Sequence, residues 1–144
     1  MTESSISRRQ ILCGVLLASV GLAVDTLPDI ANAATGITVL KNGKLQISLA
    51  ANKKLAKVGG AVLIQLSDGS ELAVVRTAAG LNGFSALSLV CPHMGGTVAE
   101  IGNQWICPLH GSTFTLNGSL VRGPAQIGLS KYPIKATTKY LTIG

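Results

Sequence analysis

The 144-residue sequence is poor in aromatic and charged side chains. Only 3% of its residues are aromatic and 12% are charged, whereas 47% are hydrophobic. The apolar content excludes a disordered chain, and the scarcity of rings argues against a stacking platform for nucleic acid. Acidic residues are also scarce, and only Asp68, Glu71 and Glu100 lie beyond residue 33. A mechanism based on paired carboxylates therefore has too few candidates, and no independent substrate site is expected.

Residues 1–33 have the features of an export signal. Residues 7–12 (SRRQIL) resemble the twin-arginine motif, with Ile11 in place of phenylalanine. Residues 11–24 carry no charge, and residues 31–33 (ANA) supply the small side chains that signal peptidase requires. As a helix, this run would span only about 21 Å, short of a ~30 Å hydrocarbon core. We expect cleavage and a mature chain of residues 34–144 in the periplasm or an equivalent space. The alternative is a retained anchor on the outer face of the cytoplasmic membrane.

The remainder of the chain has the pattern of short strands. Apolar runs alternate with turn signals such as Asn42-Gly43 and Asn117-Gly118, and no 3.6-residue period is present. This pattern predicts an all-β fold, an antiparallel sandwich or a small barrel. Asn52–Val58 fits either a helical turn or a loop. Strands are predicted at 37–40, 45–49, 61–66, 71–76, 84–90, 97–100, 104–106, 113–116, 119–121, 131–135 and 140–143.

The two histidines of the chain both follow a cysteine closely. His93 lies two residues after Cys91, and His110 lies three residues after Cys107. The resulting pattern is C-x-H, a spacer, then C-x-x-H, and chance would rarely place both histidines in this way. The third cysteine, Cys13, lies within the predicted signal and has no assigned role.

Four interpretations of these ligands compete. A Cys91–Cys107 disulfide suits an oxidising compartment but leaves both histidines unexplained. A structural zinc site, which would make the domain a zinc-stabilised binding module, normally has cysteines paired as C-x₂₋₄-C, and that spacing is absent. A nucleophilic Cys–His pair needs no second copy. The spacing therefore favours a [2Fe-2S] centre with mixed ligation.

Three segments resemble a Rieske iron–sulfur protein: residues 91–96 (CPHMGG), 107–112 (CPLHGS) and 122–125 (RGPA). The resemblance implies a β-sandwich base with a small cluster-binding subdomain, at about residues 88–126. It implies one [2Fe-2S] cluster per chain, in which Cys91 and Cys107 hold one iron and His93 and His110 hold the other. Around the ligands, it assigns supporting roles to Ser112, Gly95, Gly111 and Pro124.

Departures from the family pattern predict a moderate reduction potential. High-potential members brace the two loops with a disulfide, and the matching positions here are Gly96 and Leu109. Ser112 is kept and its hydroxyl is expected to donate to a cluster sulfide. Phe114 stands where the family often has a tyrosine donor to a cysteine sulfur. Since hydrogen bonds to sulfur stabilise the reduced state, a missing donor is expected to lower the potential below that of quinol-oxidising members.

The resemblance implies one-electron transfer in a periplasmic redox chain, between a donor enzyme and a cytochrome or similar acceptor. The alternatives are an iron–sulfur subunit of a membrane quinol–cytochrome c (bc-type) oxidoreductase, with quinol as a partner, or of a periplasmic molybdenum oxidase with a large subunit. A twin-arginine signal agrees with a cluster loaded before export, because that route carries folded protein. The excess of lysine indicates either docking to an acidic partner or surface charge that keeps an apolar chain soluble.

Overall fold

The structure, a computed structural model, describes residues 34–144. The predicted signal peptide, with Cys13, lies outside the described residues. Twelve strands and one 3₁₀-helix, Lys53–Ala56, make up the regular structure of the described part. The strands are β1 Ile37–Val39, β2 Leu45–Ser48, β3 Ala61–Gln65, β4 Glu71–Arg76, β5 Phe84–Ser88, β6 Ala99–Ile101, β7 Gln104–Ile106, β8 Thr113–Thr115, β9 Leu120–Arg122, β10 Lys131–Tyr132, β11 Ile134–Ala136 and β12 Tyr140–Ile143.

These strands form three antiparallel sheets of four strands each. Their orders are β1-β2-β12-β11, β10-β5-β4-β3 and β6-β7-β8-β9. The first sheet contains the first and last strands of the described chain, and the second contains β3, β4, β5 and β10. The third sheet is built only from residues between 99 and 122. The predicted all-β, antiparallel fold is therefore confirmed, and the third sheet carries both cysteine–histidine loops at one end.

The second sheet separates two hydrophobic clusters. Ala73 and Val75 of β4 belong to the cluster that also contains both motif cysteines. Leu72 and Val74 of the same strand belong to the other cluster, with residues of the first sheet. Because alternate side chains of a strand point to opposite faces, β4 is buried on both sides. Its nearly continuous apolar sequence follows from that position.

In two regions the structure adds to or differs from what the sequence predicts. Residues 131–135, expected as one strand, divide at Pro133 into β10 and β11, which belong to different sheets. Proline has no N–H to continue a ladder, so the chain changes sheets there. Residues 53–56 of the segment left open form a 3₁₀-helix. Among residues 34–144, no helical segment reaches the length and hydropathy that crossing a membrane requires.

Candidate metal centre

The two motif loops share one backbone arrangement. In the first, the Cys91 N–H donates to the Gly96 carbonyl at 2.7 Å, and the Gly95 N–H donates to the Cys91 carbonyl at 2.9 Å. In the second, the Cys107 N–H donates to the Ser112 carbonyl at 2.8 Å, and the Gly111 N–H donates to the Cys107 carbonyl at 2.9 Å. Each loop therefore closes on its own cysteine in the same way. Such paired, hydrogen-bonded turns hold a cysteine sulfur in a fixed position.

Glycine is required at the fourth position after each cysteine. Gly95 has φ +78° and Gly111 has φ +77°, in the left-handed region that other residues rarely adopt. An added Cβ at either position would meet no atom within 4 Å. The requirement is therefore one of backbone conformation rather than of space.

The four predicted ligands separate into an inner and an outer pair. Cys91 and Cys107 are 1% and 2% exposed, and both belong to the hydrophobic cluster around Trp105. Both thiols are free, so the disulfide interpretation is not what the structure shows. His93 and His110 are exposed, and their ring centroids lie 4.9 Å apart with the rings at 89°. The fold thus brings two histidines from separate loops side by side, while the cysteines of the same two loops are buried in the core.

The Ser112 side chain links the second loop to the segment 122–125. Ser112 is fully buried, and its Oγ accepts a hydrogen bond from the Ala125 N–H at 2.9 Å. Within residues 34–144, no protein acceptor receives the Ser112 hydroxyl hydrogen, so the hydroxyl remains free to donate. In the same segment, Pro124 is exposed and follows a cis peptide bond.

Leu109 and Gly96 bring the two loops into contact. A Cβ added at Gly96 would lie 2.5 Å from Leu109 Cδ1 and 3.4 Å from Cys107 Sγ. The leucine side chain therefore packs across the gap onto the glycine backbone, beside a ligand sulfur. The sequence identifies these two positions only as those expected to lack the disulfide that braces high-potential members. It did not predict this contact, because a packing contact between two loops leaves no periodic or spacing signal.

The surface beside the histidines is apolar. Met94 follows His93 and is 70% exposed, and Leu109 precedes His110 and is 60% exposed. We call Met94 and Leu109 the apolar rim. Exposed apolar side chains at a site are typical of surfaces that bind a partner.

The donor groups fit an iron–sulfur cluster with mixed ligation. Two thiols and two imidazoles are the ligand types of a Rieske centre, and the free Ser112 hydroxyl supplies a donor suited to a sulfide. No three His, Cys, Asp or Glu side chains of the described part converge as a single-ion site requires.

The family model of the Rieske [2Fe-2S] domain matches residues 47–133. The chain belongs to this family. Its cofactor is accordingly a [2Fe-2S] cluster. The match begins in β2 and ends at Pro133, so it includes both motif loops and the segment 122–125.

Individual relatives include iron–sulfur subunits of two membrane complexes. The chain is 34% identical over 76 residues to the cytochrome b6-f complex iron-sulfur subunit of Prochlorococcus marinus subsp. pastoris, which covers 51% of this chain and 43% of that protein. The chain thus spans less than half the length of such relatives. It is 27% identical over 148 residues to the ubiquinol-cytochrome c reductase iron-sulfur subunit of Rickettsia felis, which covers 92% of this chain and 82% of that protein.

A solved structure supports the fold. The quaternary ammonium Rieske monooxygenase CntA in complex with L-carnitine matches with a TM-score of 0.53 at 19% identity, and the match covers 65% of this chain and 30% of that chain. At this identity the likeness concerns the fold alone.

Proposed function

We propose that this domain transfers single electrons, with Cys91 and Cys107 holding one iron of the cluster and His93 and His110 holding the other. The observation that carries the proposal is the pairing of the ligands. The two imidazoles are exposed and 4.9 Å apart, whereas the two sulfurs belong to the core. When bound, the [2Fe-2S] cluster supplies one-electron chemistry in a range of roughly −150 to +300 mV.

The inner and outer sides of the site have different roles in electron transfer. The buried cysteines exclude water from the inner side, because they pack in the cluster around Trp105 and Phe114. The exposed histidines bring the outer side to the surface, where an electron has the shortest path to a partner. The apolar rim lies beside the histidines and offers an uncharged docking surface.

Iron binding is tested directly by metal analysis and spectroscopy. Anaerobically purified protein should contain two irons and two acid-labile sulfides per chain, and its reduced form should give the EPR spectrum of a Rieske centre. Cys107→Ser should abolish that spectrum, whereas Cys13→Ser, which changes a cysteine outside the motifs, should leave it unchanged. Zinc without iron or sulfide in natively folded protein would select the zinc-stabilised module instead.

We also propose that the domain works in the periplasm or an equivalent space after twin-arginine export, within a redox chain between a donor and a cytochrome. Support comes from the motif at residues 7–12, which resembles a signal that carries folded protein. Changing Arg8 and Arg9 together to lysine should retain the protein in the cytoplasm with its cluster assembled. Matched export of this variant and the wild type in cell fractionation would contradict the proposal.

The names of the relatives support a second candidate, a subunit of a bc-type quinol–cytochrome oxidoreductase. The two candidates differ in attachment and in potential. A carrier should remain in the soluble periplasmic fraction and have a potential below that of quinol-oxidising members. Co-purification with a cytochrome b from detergent-solubilised membranes, together with a potential at the top of the range, would select the complex subunit.

A further inference from the structure

A cleft of about 480 Å³ lies between the second and third sheets, away from the motif loops. One wall is built from Val58, Gly59 and Arg76 at the end of β4, and the other from Asn103, Gln104 and Asn117. Gln104 begins β7, whereas Cys107 directly follows the end of that strand. Two residues of extended chain lie between them, so Gln104 is roughly 10 Å from Cys107.

Arg76 is an uncompensated cation in this cleft. Its side chain is half-buried. Its Nε is buried and has no hydrogen-bond partner within residues 34–144. No ion pair with a carboxylate is formed by Arg76 within residues 34–144. Burial of an N–H group without a hydrogen-bond partner is costly, so the Arg76 Nε indicates an acceptor that is supplied from outside.

The contact with Phe84 does not remove this need. The Arg76 guanidinium carbon lies 4.2 Å from the centre of the Phe84 ring. A cation–π contact of this kind uses the flat face of the guanidinium and stabilises its charge in part. It leaves the N–H groups at the edge of the guanidinium, which are the ones that bind anions in pairs.

The neighbours of Arg76 point to a carboxylate. Asn103, Gln104 and Asn117 bring amide groups. The cleft itself contains one cation, which matches the single charge of a carboxylate better than the double charge of a phosphate. A planar carboxylate also fits the paired donors of a guanidinium.

We propose that this cleft between the sheets binds a carboxylate, with Arg76 as its charged anchor and the amides of Asn103 and Gln104 as further donors. The carboxylate comes either from a free organic acid or from an acidic side chain of a partner. No residue of the motif loops lines the cleft, so the site is distinct from that of the cluster.

The test uses the oxidised, cluster-containing protein and NMR titration of the Asn103 and Gln104 side-chain amides. One arm adds succinate, a second adds a blocked peptide with a single glutamate, and both are matched in ionic strength with chloride. Saturable shifts with succinate support a free acid, and shifts with the peptide alone support a partner side chain. Absence of saturation in both arms, or saturation by phosphate alone, overturns the proposal.

Variants assign the binding to Arg76. Arg76→Gln should weaken binding by about tenfold or more, and Arg76→Lys should weaken it less, because lysine keeps the charge but loses the paired donors. Asn103→Ala, in an exposed turn, should weaken binding without affecting folding. Lys41→Gln removes one positive charge from a distant hairpin and should leave binding unchanged. An equal loss in Lys41→Gln and Arg76→Gln would show unspecific attraction and would overturn the proposal.

Discussion

Ser112 connects three parts of the site through one hydroxyl group. Its backbone carbonyl closes the second motif loop, its Oγ holds the Ala125 N–H at 2.9 Å, and its hydrogen is left without a protein acceptor. A buried hydroxyl in this position is expected to use its hydrogen on the cluster. Ser112 therefore influences both the loop geometry and the energy of the added electron.

Ser112→Ala should lower the reduction potential. A hydrogen bond to a charged group contributes about 1.5–3 kcal/mol, and about 1.4 kcal/mol corresponds to ~59 mV for one electron, so we expect a drop of roughly 60 mV or more. Redox titration followed by EPR measures the change. Ser119→Ala, which changes an exposed serine just before β9, is the matched control and should keep the wild-type potential. An unchanged potential in Ser112→Ala would mean that the hydroxyl does not donate to sulfur.

Gly96→Ala should destabilise the centre through Leu109. The new Cβ would lie 2.5 Å from Leu109 Cδ1, so the leucine must move away from its place beside Cys107. Overpacking costs about 1–3 kcal/mol, and we expect cluster loss, followed by visible absorbance, to become about tenfold faster. Combined with Leu109→Ala, the variant should lose its cluster no faster than Leu109→Ala alone.

Gly95→Ala is the control for that pair. Its added Cβ meets no atom within 4 Å, but its φ of +78° strains an alanine. The effects of Gly95→Ala and Leu109→Ala should therefore add. If Leu109→Ala fails to relieve Gly96→Ala, the leucine–glycine contact does not hold the loops together.

At the level of strands and loops, local sequence signals predicted a hairpin and the two motif loops but not how the sheets are arranged. The Asn42-Gly43 signal predicted the hairpin of β1 and β2 but not its register. Val39 pairs with Leu45 and Leu40 with Lys44, so the loop has three residues rather than two, with Gly43 at φ +77°. The cysteine–histidine spacing predicted which residues lie in the two loops. Neither signal predicts the change of sheet at Pro133 or the packing of Leu109 on Gly96. Both features depend on segments that are far apart in the chain, and they arise only when the sheets pack.

Glu100 on β6 has a carboxyl group whose partial burial lowers the stability of the folded chain at neutral pH. Burial raises the pKa of the Glu100 carboxyl, and attraction from Lys54 opposes this in part. The folded chain therefore binds more protons than the unfolded chain just above pH 4.5, so stability falls as pH rises through that window. Glu100→Gln should raise the thermal midpoint at pH 7, by less than about 4 °C because the group is partly exposed. The difference should vanish at pH values below the unfolded pKa.

Asp68→Asn provides a control of opposite sign. Hydrogen bonds from the Ser70 side chain and backbone lower the pKa of the Asp68 carboxyl. The stabilisation is therefore present above the usual value of 3.8 and is lost as pH falls through the lower folded pKa. Asp68→Asn should reduce the midpoint at pH 7, whereas Glu100→Gln should increase it. A lower midpoint in both variants would show that the Lys54 attraction outweighs the burial of Glu100.

Along the chain, the net charge lies outside the segment that carries the motif loops. Between residues 88 and 126, only Glu100 and Arg122 are charged, and their charges cancel. The net charge of +7 on residues 34–144 therefore resides entirely in the rest of that part of the chain. This distribution of charge along the chain favours keeping the protein soluble, rather than docking, as the role of the lysines.

Electron exchange should accordingly depend only weakly on salt. Charges beyond about 10 Å are largely screened at ~0.1 M ionic strength, and the apolar rim beside the histidines carries no charge of its own. With ferricyanide as an anionic oxidant and a cationic cobalt complex as its counterpart, stopped-flow rate constants should change by less than about threefold between roughly 20 and 500 mM salt. Lys139→Glu, which inverts a distant charge, should leave both salt slopes unaltered. If the ferricyanide rate instead falls steeply with salt while the cobalt rate rises, the field of the lysines reaches the histidines, and the basic surface takes part in docking after all.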